Sequence, residues 1–233
     1  MLDLPATLVT TVISAYWLAV VLKLAYVRWQ LHRRGATVPR LASERRIWPL
    51  WISTISGWHF WPALAITQSQ AWYGLPGWAL ADPAWLLRMG AASLTVALFA
   101  ATVVCWYAMG KAWSVAVLPG EHQTLLTRGP FAIVRHPIYS LSIQLMLCTL
   151  VTVPNWPMAV VAATHIALMV IKVGIEEQAL AEQFGARWMQ YTRQTGRLWP
   201  RWWSAEAAPI ERQAPPPPRF QAGPRVTTER VDH

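Results

Sequence analysis

Long apolar runs separated by short polar connectors make up most of the chain, and each run of about 20 such residues is long enough to cross a bilayer as a helix. Leu4 to Val27, Ile47 to Thr67 and Trp85 to Met109 meet that length. Two further runs, Ile138 to Val153 and Met158 to Ile175, are separated only by the turn "VPNWP" and form a tight helical hairpin. The first hairpin arm rises only about 24 Å at 1.5 Å per residue, which requires its neighbours to tilt or the membrane to dip toward it. The expected fold class is all-α: a polytopic membrane protein with about five transmembrane helices, including a C-terminal helical hairpin.

Composition agrees, with 55% hydrophobic and 13% charged residues. The net charge of +9 would suit a nucleic-acid partner, but the basic residues lie between or after the apolar runs and form no reading motif. No nucleic acid and no protein partner are therefore inferred. Cys105 and Cys148 both fall inside apolar stretches, too few for a disulfide framework or a metal site, and read as core packing. The N-terminus lacks a basic region ahead of its apolar run, so that run is a retained span and not a cleaved signal. Lys23 and Arg88 sit near span ends, where long side chains can snorkel to the interface.

The connectors set the orientation. Residues 28–46 are arginine-rich, the next connector carries only Asp82, and the third carries Lys111, Arg128 and Arg135 with Glu121. The positive-inside rule then places the N-terminus outside and the C-terminus in the cytoplasm, in an inner (plasma) membrane of bacterial type. From Glu176 the sequence turns amphipathic and reads as a surface helix. Residues 203–233, rich in proline, read as a disordered tail.

One connector differs from the rest: "TRGPFAIVRHPIYS", Thr127 to Ser140. Gly129-Pro130 and His136-Pro137 predict a rigid, non-helical link. The topology gives it a partner, because the chain leaves the cytoplasmic face at Pro137, turns at Pro154 to Pro157, and returns to the same face at Glu176. Glu176 and Glu177 point about 100° apart on a helix, so one can bind a ligand while the other pairs with a base such as Arg135.

The order "LLTRGPFAIVRHPIY", a hairpin, then "EEQALAEQFGARWMQYTRQTGRLWP" resembles the isoprenylcysteine carboxyl methyltransferase and phospholipid methyltransferase superfamily of integral-membrane enzymes. "MGKAWS" and "EHQTLLTRGPF" are similar to that family's approach to its RHPxY element. The resemblance covers Met109 to Pro200. It divides the chain into N-terminal spans over 1–108, a catalytic region over 109–202 and the tail. It also implies an S-adenosyl-L-methionine site at the cytoplasmic face, carried over to Arg135, His136, Pro137, Tyr139, Glu176 and Glu177. Phe131 and Trp188 depart from the family, each standing where a tyrosine is usual.

Such a cofactor presents an ammonium, a carboxylate, a ribose diol, an adenine ring and a sulfonium, and so needs acceptors, donors and aromatic faces together. On this reading Glu176 or Glu177 meets the ammonium or the ribose hydroxyls, His136 and Arg135 the carboxylate, and Tyr139 a hydrogen bond or ring face. Gly129 and Pro130 shape backbone near adenine, with Leu125 and Leu126 as apolar lining. Arg193 and Arg197 are candidates to orient an anionic acceptor. Methyl transfer relies on positioning and exclusion of water, and a carboxylate or thiolate acceptor needs no general base. The expected acceptor is lipophilic, first the carboxyl of an isoprenylcysteine-like molecule, with a phospholipid amine or a small thiol as alternatives, and membrane lipid as the surroundings. Two readings of other classes are a haem protein using His59 and His165, and a non-catalytic membrane scaffold.

Overall fold

A computed structural model describes residues 2–33, 48–67, 75–110 and 125–201. The arginine-rich connector, most of the approach to the RHPIY element and the Pro-rich tail lie outside the described residues. The helices are α1 (Leu4–Arg33), α2 (Trp48–Thr67), α3 (Asp82–Met109), α4 (Pro130–Ile133), α5 (Pro137–Thr152), α6 (Trp156–Phe184) and α7 (Ala186–Gln194), with a 3₁₀ turn at Gly77–Leu80. Among the described residues there is no β-strand, only one isolated parallel bridge.

Among the described residues three helices, over Leu4–Gln30, Asp82–Met109 and Trp156–Phe184, are long and apolar enough to cross a membrane, and α5 is a shorter apolar helix. About five were expected. The twenty residues of α2 have the length, but Trp48, Trp51, Trp58, Trp61 and His59 dilute its apolar character. The long helices carry their apolar side chains outward as well as inward: Leu18, Leu22, Leu94, Val104, Val170 and Ile171 are all exposed. Water does not favour that arrangement for so many large side chains, and lipid does.

The bundle core is built where α3 lies along α5, α1 packs on α2 and α3, and α2 and α5 pack on α6. Ile13, Tyr16, Trp58, Leu145, Met146 and Met158 fill its centre. A Cβ added to Gly57 would come within 2.8 Å of Val161 Cγ2, so the absence of a side chain there lets α2 approach α6. Two polar contacts cross between helices inside: Trp58 Nε1 donates to Thr149 Oγ1 at 3.1 Å, and the Ser142 hydroxyl is hydrogen-bonded to His165 Nε2 at 3.1 Å. At the hairpin turn, Asn155 caps α6 by accepting from Met158 N–H at 2.8 Å.

Two expectations are corrected. Arg88 does not snorkel; it is 1% exposed and its Nη2 donates to Asp3 Oδ1 at 2.6 Å. Arg88 Nε donates to the Thr152 carbonyl at 2.7 Å, an oxygen in the last turn of α5, where no intrahelical donor remains. Asp3 in turn caps α1, since its Oδ1 accepts from Ala6 N–H at 2.8 Å. One guanidinium thereby ties the start of α1 to α3 and to the end of α5. The second correction concerns Glu176. No separate amphipathic helix begins there; α6 continues through both glutamates to Phe184 and breaks at Gly185, where φ is 52°. "EEQALAEQF" is made of good helix formers, so the helix runs on until a residue that tolerates positive φ ends it. The amphipathic helix is the shorter α7.

Candidate functional site

The RHPIY connector is built from local chemistry. Pro130 starts one helical turn, α4, so the link is not wholly non-helical as expected; Gly129 before it has φ 61°, a region that favours glycine. The chain then extends, with Val134 at φ −138° and ψ 147°, before Pro137 starts α5. The extended piece pairs with the segment after α7. Arg135 N–H donates to the Gly196 carbonyl at 2.8 Å and His136 N–H to the Arg197 carbonyl at 3.2 Å, which makes the parallel bridge between Val134 and Gly196. A Cβ built on Gly196 would overlap the Trp199 carbonyl oxygen and reach 3.1 Å from Arg201 N. Gly196→Ala is therefore expected to cost about 1–3 kcal/mol. Thermal melting in detergent checks this, and an unchanged midpoint would show that the Trp199 turn yields freely.

Five side chains converge where the hairpin ends. Arg135 Nε donates to Glu177 Oε1 at 2.9 Å, and Arg197 Nε pairs with Glu177 Oε2 at 3.0 Å, so both oxygens of Glu177 are held by guanidinium groups. Arg135 Nη1 also donates to the carbonyls of Thr192, at 3.3 Å, and Thr195. Its guanidinium lies 5.9 Å from the Trp188 ring centre. A cation so occupied binds α6, α7 and the bridge together. Buried His136 brings Nε2 to 3.3 Å from Glu177 Oε1 without the alignment of a hydrogen bond, and Nδ1 to 4.0 Å from Glu176 Oε2. Among the described residues four buried side-chain atoms have no hydrogen-bond partner: His136 Nε2 and Glu176 Oε2 here, and Trp17 Nε1 and His165 Nδ1 inside the bundle. The Tyr139 ring lies 5.8 Å from that of His136.

Of the residues singled out in the sequence, Arg135, His136, Glu176, Glu177 and Arg197 meet here, with Tyr139 beside them and Pro137 at the start of α5. Leu126 and Gly129 precede α4 and Pro130 is its first residue, and none of the three takes part in the cluster's ion pairs among the described residues. Arg193 is exposed at the end of α7, its carbonyl accepting from Arg201 Nη1 at 3.0 Å. Sequence reasoning missed Tyr191 and Gly196. Tyr191 is buried and donates from its hydroxyl to the Phe131 carbonyl at 2.6 Å, seating α4 on α7. Burial raises its pKa, against the lowering effect of the Arg135 charge, and keeps the hydroxyl a donor. Its spacing of three from Trp188, the other buried residue of α7, is the signal that could have found it. Phe131 and Trp188 are both buried in this packing. His59 and His165 bond inside the bundle: His59 Nδ1 donates to the Ile55 carbonyl at 2.8 Å, and His165 is held by Ser142 and packs on Trp58 at 4.8 Å between ring centres.

The described part of the chain is thus an integral-membrane helical protein with a charged cluster closing one end of a hairpin. Residues 91–182 match the family model of the isoprenylcysteine carboxyl methyltransferase (ICMT) family. The match runs from within α3 to within α6 and so includes the RHPIY element, the hairpin and both glutamates, while α1, α2, α7 and the bridge partner Gly196 lie outside it. No curated protein matches the chain.

Proposed function

We propose that this chain is an S-adenosylmethionine-dependent methyltransferase that holds its cofactor at His136 and Glu176 and methylates a lipophilic acceptor, in first place the carboxyl of an isoprenylcysteine-like molecule. The observation that carries the reading is the pair of buried, unpartnered polar atoms, His136 Nε2 and Glu176 Oε2. Buried polar groups are nearly always hydrogen-bonded. Two that are not, on residues whose Nδ1 and Oε2 come within 4.0 Å inside the family match, suit a ligand bearing both donors and acceptors.

The residues fit such a ligand. Glu176 offers an acceptor to an ammonium or to ribose hydroxyls, and His136 a donor to a carboxylate. Tyr139 adds a ring face. Arg135 is engaged with Glu177, Thr192, Thr195 and Trp188, which gives it the task of fixing the glutamate helix against the connector. Arg197 is 42% exposed and spends only its Nε on Glu177, leaving further N–H groups for an anionic acceptor. When bound, S-adenosylmethionine supplies an electrophilic methyl group. The protein's part is to orient the acceptor in line with it and to keep water out; a carboxylate acceptor needs no base.

The test is labelled cofactor binding and methyl transfer in purified protein, with prenylcysteine, phosphatidylethanolamine and a small thiol as parallel acceptors. Binding with transfer to the prenylcysteine is expected. The proposed orientation adds that sealed inverted vesicles turn over with external cofactor and right-side-out vesicles do not. Folded protein that binds no cofactor at millimolar concentration would overturn the reading.

A further inference from the structure

The cluster continues into the membrane along one face of α5. His136, Ser140 and Gln144 follow at intervals of four, so they stack on nearly the same side of the helix. The Ser140 N–H donates to the His136 carbonyl at 3.0 Å. Gln144 Nε2 donates to Ser140 Oγ at 3.2 Å and reaches the Ser140 carbonyl at 3.4 Å. One and two turns farther on, near the same side, Leu147 is 38% and Val151 40% exposed. The strip therefore runs from charged, through uncharged polar, to apolar and open to lipid.

Gln144 is the anomaly in it. A primary amide within an apolar helix is costly in lipid unless it is partnered or used. Its donor is satisfied locally by Ser140, but its oxygen Oε1 takes no hydrogen bond from a described residue. Helical side chains lean toward the N-terminus, and the bond to Ser140 confirms that direction here. The amide is thereby carried toward His136, about one helical turn of 5.4 Å from it.

We infer that Gln144 positions the methyl acceptor, its Oε1 accepting a hydrogen bond from an N–H that the acceptor carries next to its methyl-receiving group, while Leu147 and Val151 lie beside the acceptor's apolar chain. This rests on the methyltransferase reading and deepens it: the acceptor is an amphiphile with an amide N–H on the carbon that bears its reacting carboxyl. Ser140 fixes the Gln144 rotamer, so the amide oxygen is presented without a search among side-chain conformations.

The experiment compares two acceptors in detergent-solubilised parent and Gln144→Leu: an N-acyl S-prenylcysteine, and its analogue with a methylene in place of the amide N–H. Leucine suits an apolar membrane helix, so the variant is expected to fold; its melting midpoint is measured alongside. For the amide acceptor, kcat/KM should fall about fivefold to tenfold in the variant, as for loss of one hydrogen bond. For the analogue it should start lower by a similar factor and not change. Cofactor affinity should stay within about twofold, since Gln144 lies outside the cofactor cluster. Equal losses for both acceptors, no loss for either, or use of neither would overturn the inference with cofactor binding intact. Absence of cofactor binding in the parent protein would instead overturn the methyltransferase reading beneath it.

Discussion

Arg88→Ala is expected to destabilise the detergent-solubilised protein by about 3–5 kcal/mol, the range for removing one partner of a buried ion pair. The side chain is 1% exposed and Asp3 9%, so the carboxylate left behind would have little access to water. The Thr152 carbonyl would lose its donor as well. Both losses fall at the junction of α1, α3 and α5, so they should lower one cooperative transition and not a local one. Arg88→Leu combined with Asp3→Asn should recover part of the loss, because it removes both charges instead of stranding one. Asp3→Asn alone should cost less than Arg88→Ala, since asparagine still caps α1. Thermal unfolding followed by circular dichroism checks the series. An Arg88→Ala midpoint equal to the parent's would mean that the guanidinium reaches water in solution, as the sequence alone suggested.

That contrast shows what a linear reading can and cannot reach. The apolar runs located α1, α2, α3, α5 and α6 because length and hydropathy are local properties. Whether Arg88 faces water or the bundle depends on Asp3, 85 positions away, and on a carbonyl exposed by the end of another helix. Neither is visible near residue 88. The same limit explains the site. A hairpin must bring its two ends together, so the meeting of Arg135 with the glutamate pair was legible from topology. Which glutamate would take the arginine was not, since the two differ only by their angle about the α6 axis. The bridge from Val134 to Gly196 was wholly hidden, because a single pair of extended residues has no period to detect.

The division between the glutamates has an energetic meaning. Glu177, fully paired to Arg135 and Arg197, acts as a fastener between the connector and the segment after α7. Glu176, one position earlier, keeps a buried oxygen without a partner. A site that must bind and release a ligand needs both: groups that hold its shape in every state, and groups whose hydrogen bonds are completed only by the ligand.

His136→Ala should weaken S-adenosylmethionine binding by about 2–5 kcal/mol, a loss of roughly thirtyfold or more, while leaving the fold intact. The fold should survive because Pro137 still starts α5, and the bridge to Arg197 uses the His136 backbone and not its ring. Glu176→Gln should also weaken binding with little change in melting, because it removes charge from an atom that takes no hydrogen bond from a described residue and whose nearest charged neighbour in the cluster, His136 Nδ1, is 4.0 Å away. Glu177→Gln should behave differently. It leaves Arg135 and Arg197 facing a neutral amide, so melting and binding should fall together. Calorimetry of cofactor binding, paired with thermal melting of each variant, separates the two patterns. If His136→Ala and Glu176→Gln stay folded and bind the cofactor as tightly as the parent, the unpartnered atoms are not its ligands. The likeness to the methyltransferases would then extend to the helices and not to the site. If Glu177→Gln loses affinity without loss of stability, the assignment of the two glutamates is reversed, with Glu177 reaching the ligand and its arginines following it.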